Sequence, residues 1–138
     1  MKTVPIVSLV LLVGLGGCIY TSCKPVWQFD HLEQNARKVI TARQLQTWGT
    51  NLLAEYRIET NFSVSQLGTN FPQQLRGLAP RLGPLVFVHV YDDTNYPSYV
   101  HVYWGSGFLG AAGFYIGSTN LVMSGSTAWQ PGVYFYRR

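Results

Sequence analysis

Two short segments of this chain alternate in side-chain character almost without interruption: Leu85-Val86-Phe87-Val88-His89-Val90-Tyr91 and Tyr99-Val100-His101-Val102-Tyr103-Trp104. A strand turns successive side chains to opposite faces, so each segment carries one aliphatic face and one face of rings. The loop Asp92-Asp93-Thr94-Asn95-Tyr96-Pro97 between them favours an antiparallel hairpin. Only registers whose paired residue numbers have an even sum bring Val86, Val88 and Val90 to the same face as Val100, Val102 and Trp104. With Tyr91 opposite Tyr99, His89 lies directly across from His101; a two-residue slip leaves the histidines diagonal, about 7 Å apart. The Val face is the expected core. The Tyr/His face is the surface whose role must be argued.

Other segments supply what such a hairpin packs against. Leu45, Trp48, Leu52 and Tyr56 share one stripe at helical spacing, and Thr41-Ala42-Arg43-Gln44 has the pattern of a capping box, so an amphipathic helix is predicted over residues 42–57. Leu32, Ala36, Val39 and Ile40 are out of phase with that stripe, which argues against one long helix. Gly49 inside the helix costs up to about 1 kcal/mol relative to Ala, as expected where a neighbour must approach closely. Residues 61–70 are predicted as loop, and Pro72 with Gly77 brackets a helix of one or two turns. Further strands are predicted over 113–116 and 133–136, with Trp129-Gln130-Pro131-Gly132 as a turn and Arg137-Arg138 as a solvated end. Helices first and strands last predict an α+β fold: one main amphipathic helix packed on a small antiparallel sheet, a meander of about four strands.

The N-terminus follows a different logic. Lys2 precedes an apolar stretch over residues 4–13 that closes in Gly14-Leu15-Gly16-Gly17-Cys18. It is much shorter than the ~20 residues of a membrane-spanning helix and reads as an export signal. Leu15-Gly16-Gly17-Cys18 resembles the lipobox of bacterial lipoproteins, an aliphatic residue and two small ones ahead of an acylated Cys. The resemblance implies removal of 1–17, fatty acyl chains such as palmitate on Cys18, a tether over 18–30 and a single α+β domain over 31–138. Ile19 after Cys18 resembles outer-membrane-bound lipoproteins of enteric bacteria, a resemblance that implies the cell envelope, at the outer membrane or cell surface in preference to the inner membrane. The other reading is an ordinary secreted protein, with Cys18 discarded or paired with Cys23. Under acylation, Cys23 is a lone thiol in an oxidising compartment.

Charged residues make up only 12% of the chain, and the net charge of +4 is spread without a Lys/Arg cluster, which excludes tracking of a nucleic-acid backbone. The Tyr/His face yields the candidate binding residues Tyr91, Tyr99, Tyr103, His89 and His101, suited to stacking on a glycan or on an envelope protein. Its structural reading is that cross-strand aromatic pairs stabilise a half-covered sheet. The alternative function is a small metal-dependent or hydrolytic enzyme centred on His89 and His101, in which zinc would need a third ligand from His31, Asp92 or Asp93. Gly105-Ser106-Gly107-Phe108-Leu109-Gly110 matches a dinucleotide-binding spacing, but no helix pattern follows and no acid occurs after Asp93, so it reads as Gly-rich bends. Ser106 lacks the preceding Gly of a nucleophile elbow, and the six acids show no glycosidase-like pairing. The expectation is therefore a membrane-anchored, non-enzymatic binding or structural module, with no catalytic residue, metal or cofactor. The anchor is testable by mass spectrometry and detergent partitioning. The native product should begin at an acylated Cys18 and enter the detergent phase, and Cys18→Ala should not; an unmodified sulfur in the wild type would contradict the lipobox reading.

Overall fold

The computed structural model describes residues 31–56, 58–79, 83–92, 95–105 and 110–138. The signal, the tether, Cys18, Cys23, Arg57, Asp93 and Ser106 lie outside the described residues. Two helices come first, α1 (Leu32–Val39) and α2 (Ala42–Glu55). Strand β1 (Thr60–Ser63) leads through α3 (Val64–Leu67), a 3-10 turn (Gly68–Asn70) and α4 (Gln73–Arg76) to β2 (Leu85–His89). Then follow β3 (Tyr99–Gly105), β4 (Ala111–Gly117), β5 (Thr127–Gln130) and β6 (Val133–Arg137). All pairings are antiparallel, in the order β1-β2-β3-β4-β6-β5.

The fold is α+β, as the order of elements implies, with two corrections. The sheet has six strands rather than four. Thr60–Ser63 and Thr127–Gln130 are edge strands where a loop and a turn were expected, because each carries a single large apolar residue and draws its order from its neighbour's ladder. In place of one main helix there are two in tandem. The phase break between the apolar stripes is real: Ile40 and Thr41 are both extended (φ −142°, ψ 152° and φ −93°, ψ 152°). Each side of the break is nevertheless helical. The Ile40 N–H closes α1 on the Ala36 carbonyl at 3.0 Å. Thr41 and Gln44 then open α2 with a reciprocal capping box, the Gln44 N–H donating to Thr41 Oγ1 at 3.2 Å and the Thr41 N–H to Gln44 Oε1 at 2.9 Å.

The alternation of β2 and β3 places the core as expected. Val86, Val88, Val100, Val102 and Trp104 are fully buried, and they cluster with Leu32, Ala36, Leu45 and Leu52 from the helices and Phe114 and Ile116 from β4. Both helices thus lie on one side of the sheet, α2 across β3 and β4. The indole N–H of Trp104 is buried with no partner among the described residues, a cost of about 1–3 kcal/mol that burial of so large a ring offsets. Polar contacts fix the orientation of α2. Gln46 Nε2 donates to the carbonyls of Gly117 and Pro131 at 3.1 and 3.0 Å, and its Oε1 accepts from Gln130 Nε2 at 2.8 Å.

The hairpin register is slipped by two from the one with facing histidines: Phe87 pairs with His101 and His89 with Tyr99. The even sum holds, so the faces are unchanged. Continued to Tyr91, this register would oppose it to Pro97, which has no N–H for the ladder; the Tyr91 N–H instead donates to Ser98 Oγ at 2.9 Å, and pairing ends at His89.

Gly49 is where α2 touches the sheet, since a Cβ there would collide with the side chain of Ile116. Gly49→Ala should therefore destabilise the protein in urea unfolding by about 1–2 kcal/mol, because overpacking outweighs the gain in helix propensity. The loss should be smaller in an Ile116→Ala background. A stabilised Gly49→Ala would show that the contact is not tight.

Candidate functional site

The face of the sheet away from the helices is a grid of rings. Alternation and register set out its rows. One row reads Leu85, Tyr103, Gly113, Tyr136 across β2, β3, β4 and β6. The next reads Phe87, His101, Tyr115, Tyr134, and a third His89, Tyr99, Gly117. The rings shield one another: His89 stacks on Tyr99 (centroids 4.5 Å apart), His101 on Tyr115 (4.7 Å) and Tyr115 on Tyr136 (4.8 Å). All of these rings stay partly exposed except Tyr136, which is buried.

The sequence-derived candidates separate on this grid. His89, Tyr99, His101 and Tyr103 lie on it together, whereas Tyr91 lies beyond the end of β2, exposed, with its ring 6.2 Å from Tyr99 and 6.3 Å from Tyr96. Phe87, Tyr115, Tyr134, Tyr136 and Arg138 were not among the candidates, although the strands expected over 85–91, 113–116 and 133–136 contain four of them and Arg138 was expected as part of a solvated end. Parity would have found the last four: once Gly113 faces outward so does Tyr115, and once Tyr134 does so do Tyr136 and Arg138.

The grid has a basin. Ala111 and Gly113 occupy successive outward positions of β4, so the surface dips between Tyr103 and Tyr136. A Cβ at Gly113 would collide with the Val102 carbonyl oxygen and meet the Tyr136 ring at 3.0 Å, so glycine lets the backbone of β3 approach closely and leaves room for that ring. A hollow of about 390 Å³ beside Ala111 is lined by Gly110, His101, Tyr103, Tyr115, Tyr136 and Arg138, within the range of about 300–1,000 Å³ usual for small-ligand sites. Among the described residues there are also smaller hollows. One, about 210 Å³, lies by Trp48 and Glu55 of α2, and one of about 150 Å³ lies between Tyr91 and Val122.

The two imidazole rings lie side by side, with centroids 6.2 Å apart and planes at 29°. His89 Nδ1 is 2.9 Å from Glu59 Oε1, an exposed pair worth little in water. His101 Nε2 shares a 2.7 Å hydrogen bond with the Tyr136 hydroxyl. Among the described residues no three His, Cys, Asp or Glu side chains come close enough to hold a metal ion. Burial, reinforced by His89 and Arg138, lowers the His101 pKa from 6.5 to about 4. Burial raises Tyr136 well above the usual phenol range, with Tyr115 and Tyr103 adding to the shift, and raises Tyr99 to about 12 with help from its hydrogen bond to Tyr91. The basin is thus a neutral aromatic floor at ordinary pH, with the Arg138 cation at its rim.

Comparison with protein-family models, with curated proteins and with solved structures finds no match for this chain. The site must be argued from its own chemistry.

A depressed imidazole pKa fixes the direction of a pH effect. Between pH 6.5 and about 4 the unfolded chain binds a proton at residue 101 that the folded protein does not. His101 therefore contributes no penalty above pH 6.5, and stability falls as pH drops through that window, by at most about 1.4 kcal/mol per pH unit. Urea unfolding should show His101→Gln losing less stability than wild type between pH 6.5 and 4; parallel curves would contradict a buried neutral imidazole.

Proposed function

We propose that this chain is a lipid-anchored lipoprotein of the bacterial cell envelope, held at the outer membrane or cell surface through Cys18, which binds glycan through the aromatic face of its sheet and performs no catalysis. The observation that carries the binding half is the ring grid itself, contiguous from Phe87 to Tyr136, with the helices packed on the opposite side. Rings with polar tips suit the task. Their faces stack on the C–H-rich side of a sugar, and their hydroxyls and imidazoles reach its hydroxyl groups. A pure packing role is supported less well, because it gives no reason for a basin of small residues in the middle of the rings.

The enzyme alternative at His89 and His101 also has less support. His89 Nδ1 is engaged by Glu59 and His101 Nε2 by Tyr136, and Glu59, the acid that contacts His89 among the described residues, is largely exposed. Burial that holds His101 near pKa 4 also makes it a weak base at neutral pH.

Retention on insoluble peptidoglycan tests the reading. The wild-type full chain should be retained, and Tyr103→Ala and Tyr115→Ala, which remove half-exposed rings without opening the core, should reduce retention about tenfold, since each stacking ring is worth about 1 kcal/mol or more. Equal retention of wild type and both variants would refute the aromatic face as the contact. Capture of an envelope protein in place of the glycan would reassign the partner.

A further inference from the structure

We propose that the basin beside Ala111 is a subsite for a saccharide ring that carries a carboxylate, the ring lying on Tyr103 and Tyr115 and the carboxylate paired with Arg138. This rests on the glycan-binding reading above and adds the charge of the sugar.

Three observations converge on it. The first is the placement of Arg138. Strand alternation puts it on the same side as Tyr134 and Tyr136, and its backbone is tied to Ala111 in both directions, by the Ala111 N–H to the Arg138 carbonyl at 3.0 Å and the Arg138 N–H to the Ala111 carbonyl at 2.7 Å. A side chain rooted there rises from the basin's rim. The second is the reach of its charge: the Arg138 guanidinium makes protonation of His101 harder and ionisation of Tyr136 easier, so its field covers the floor. The third is charge balance. No Asp or Glu is among the described residues that line the basin, and His101 is uncharged at neutral pH, so among the described lining side chains the formal charge is that of Arg138.

A neutral sugar would stack on this floor and make no use of the cation. A small free carboxylate would pair with the cation and leave the floor wet. A ring bearing a carboxylate uses both, and a guanidinium matches the planar carboxylate with two parallel hydrogen bonds. The volume of about 390 Å³ accommodates one substituted pyranose rather than a long chain.

The test is a saturation-transfer NMR titration of the detergent-solubilised full chain with N-acetylmuramic acid and N-acetylglucosamine, which share a ring and differ by a carboxylate-bearing ether, and with lactate as the carboxylate alone. At low salt the acidic sugar should bind about tenfold more tightly than the neutral one, lactate should not bind measurably, and added salt should shrink the preference. Arg138→Gln should abolish the preference by lowering the acidic sugar's affinity about tenfold. Ala111→Trp, which fills the basin from an outward-facing position, should lose both sugars. Equal affinities in the wild type, a preference that survives Arg138→Gln, or lactate binding as well as the acidic sugar would each overturn the assignment. If that happens while peptidoglycan is still retained through Tyr103, the glycan reading stands and only the carboxylate subsite falls. If neither sugar binds and peptidoglycan is not retained, both fall.

Discussion

One-sided burial of the sheet governs everything else in this protein. Val86, Val88, Val100, Val102 and Trp104 are all sealed under two helices, so the strands that carry them must present their other side chains to the opposite surface. Valine or leucine there would leave an apolar sheet face of a kind that soluble surfaces rarely tolerate. Tyrosine and histidine solve the problem differently. Their rings cover each other and the backbone while their polar atoms reach water or one another, as in the shared hydrogen bond of His101 and Tyr136.

Two glycines then shape the two sides. On the helical side Gly49 brings α2 down onto Ile116, and the Gln46 contacts to Gly117, Pro131 and Gln130 hold the helix at that height. On the ring side Gly113 sits between Tyr103 and Tyr136, where it lets the Val102 carbonyl approach and leaves room for the Tyr136 ring, which lines the basin beside Ala111. The same strand, β4, takes part in both: Ile116 points to the helices and Gly113 away from them. Packing on one side and recognition on the other are therefore fixed by one register, and a slip by a single residue would exchange them.

The central part of this arrangement could be read in the sequence because it rests on local pattern. Period-two alternation identified the core face of β2 and β3, and parity restricted the register to the family in which it is found. The exact register could not be read, because it turns on where the ladder stops, and that depends on Pro97 and the Ser98 side chain rather than on hydrophobicity. Phase analysis located the break before Thr41 but missed α1, whose eight residues bury only Leu32 and Ala36 fully. The edge strands β1 and β5 have no pattern of their own, and β5 is further disguised by a register shift between Ala128 and Gln130. Of the site, the β2–β3 half was legible. The β4–β6 half was not, because Arg137-Arg138 reads as a solvated end until β6 is paired to β4 and one of the two cations is seen to face the rings.

The claim on which the account depends is that the sheet is sealed on one side and open on the other. Paramagnetic relaxation of aromatic ring protons by a soluble gadolinium chelate, measured on the full chain, tests this most directly. The ring protons of Tyr99, Tyr103 and Tyr115 should relax strongly with added chelate, while those of Trp104 and Phe114 should be nearly untouched. Protection of the tyrosines equal to that of Trp104 would mean the ring face is covered, and would contradict the account.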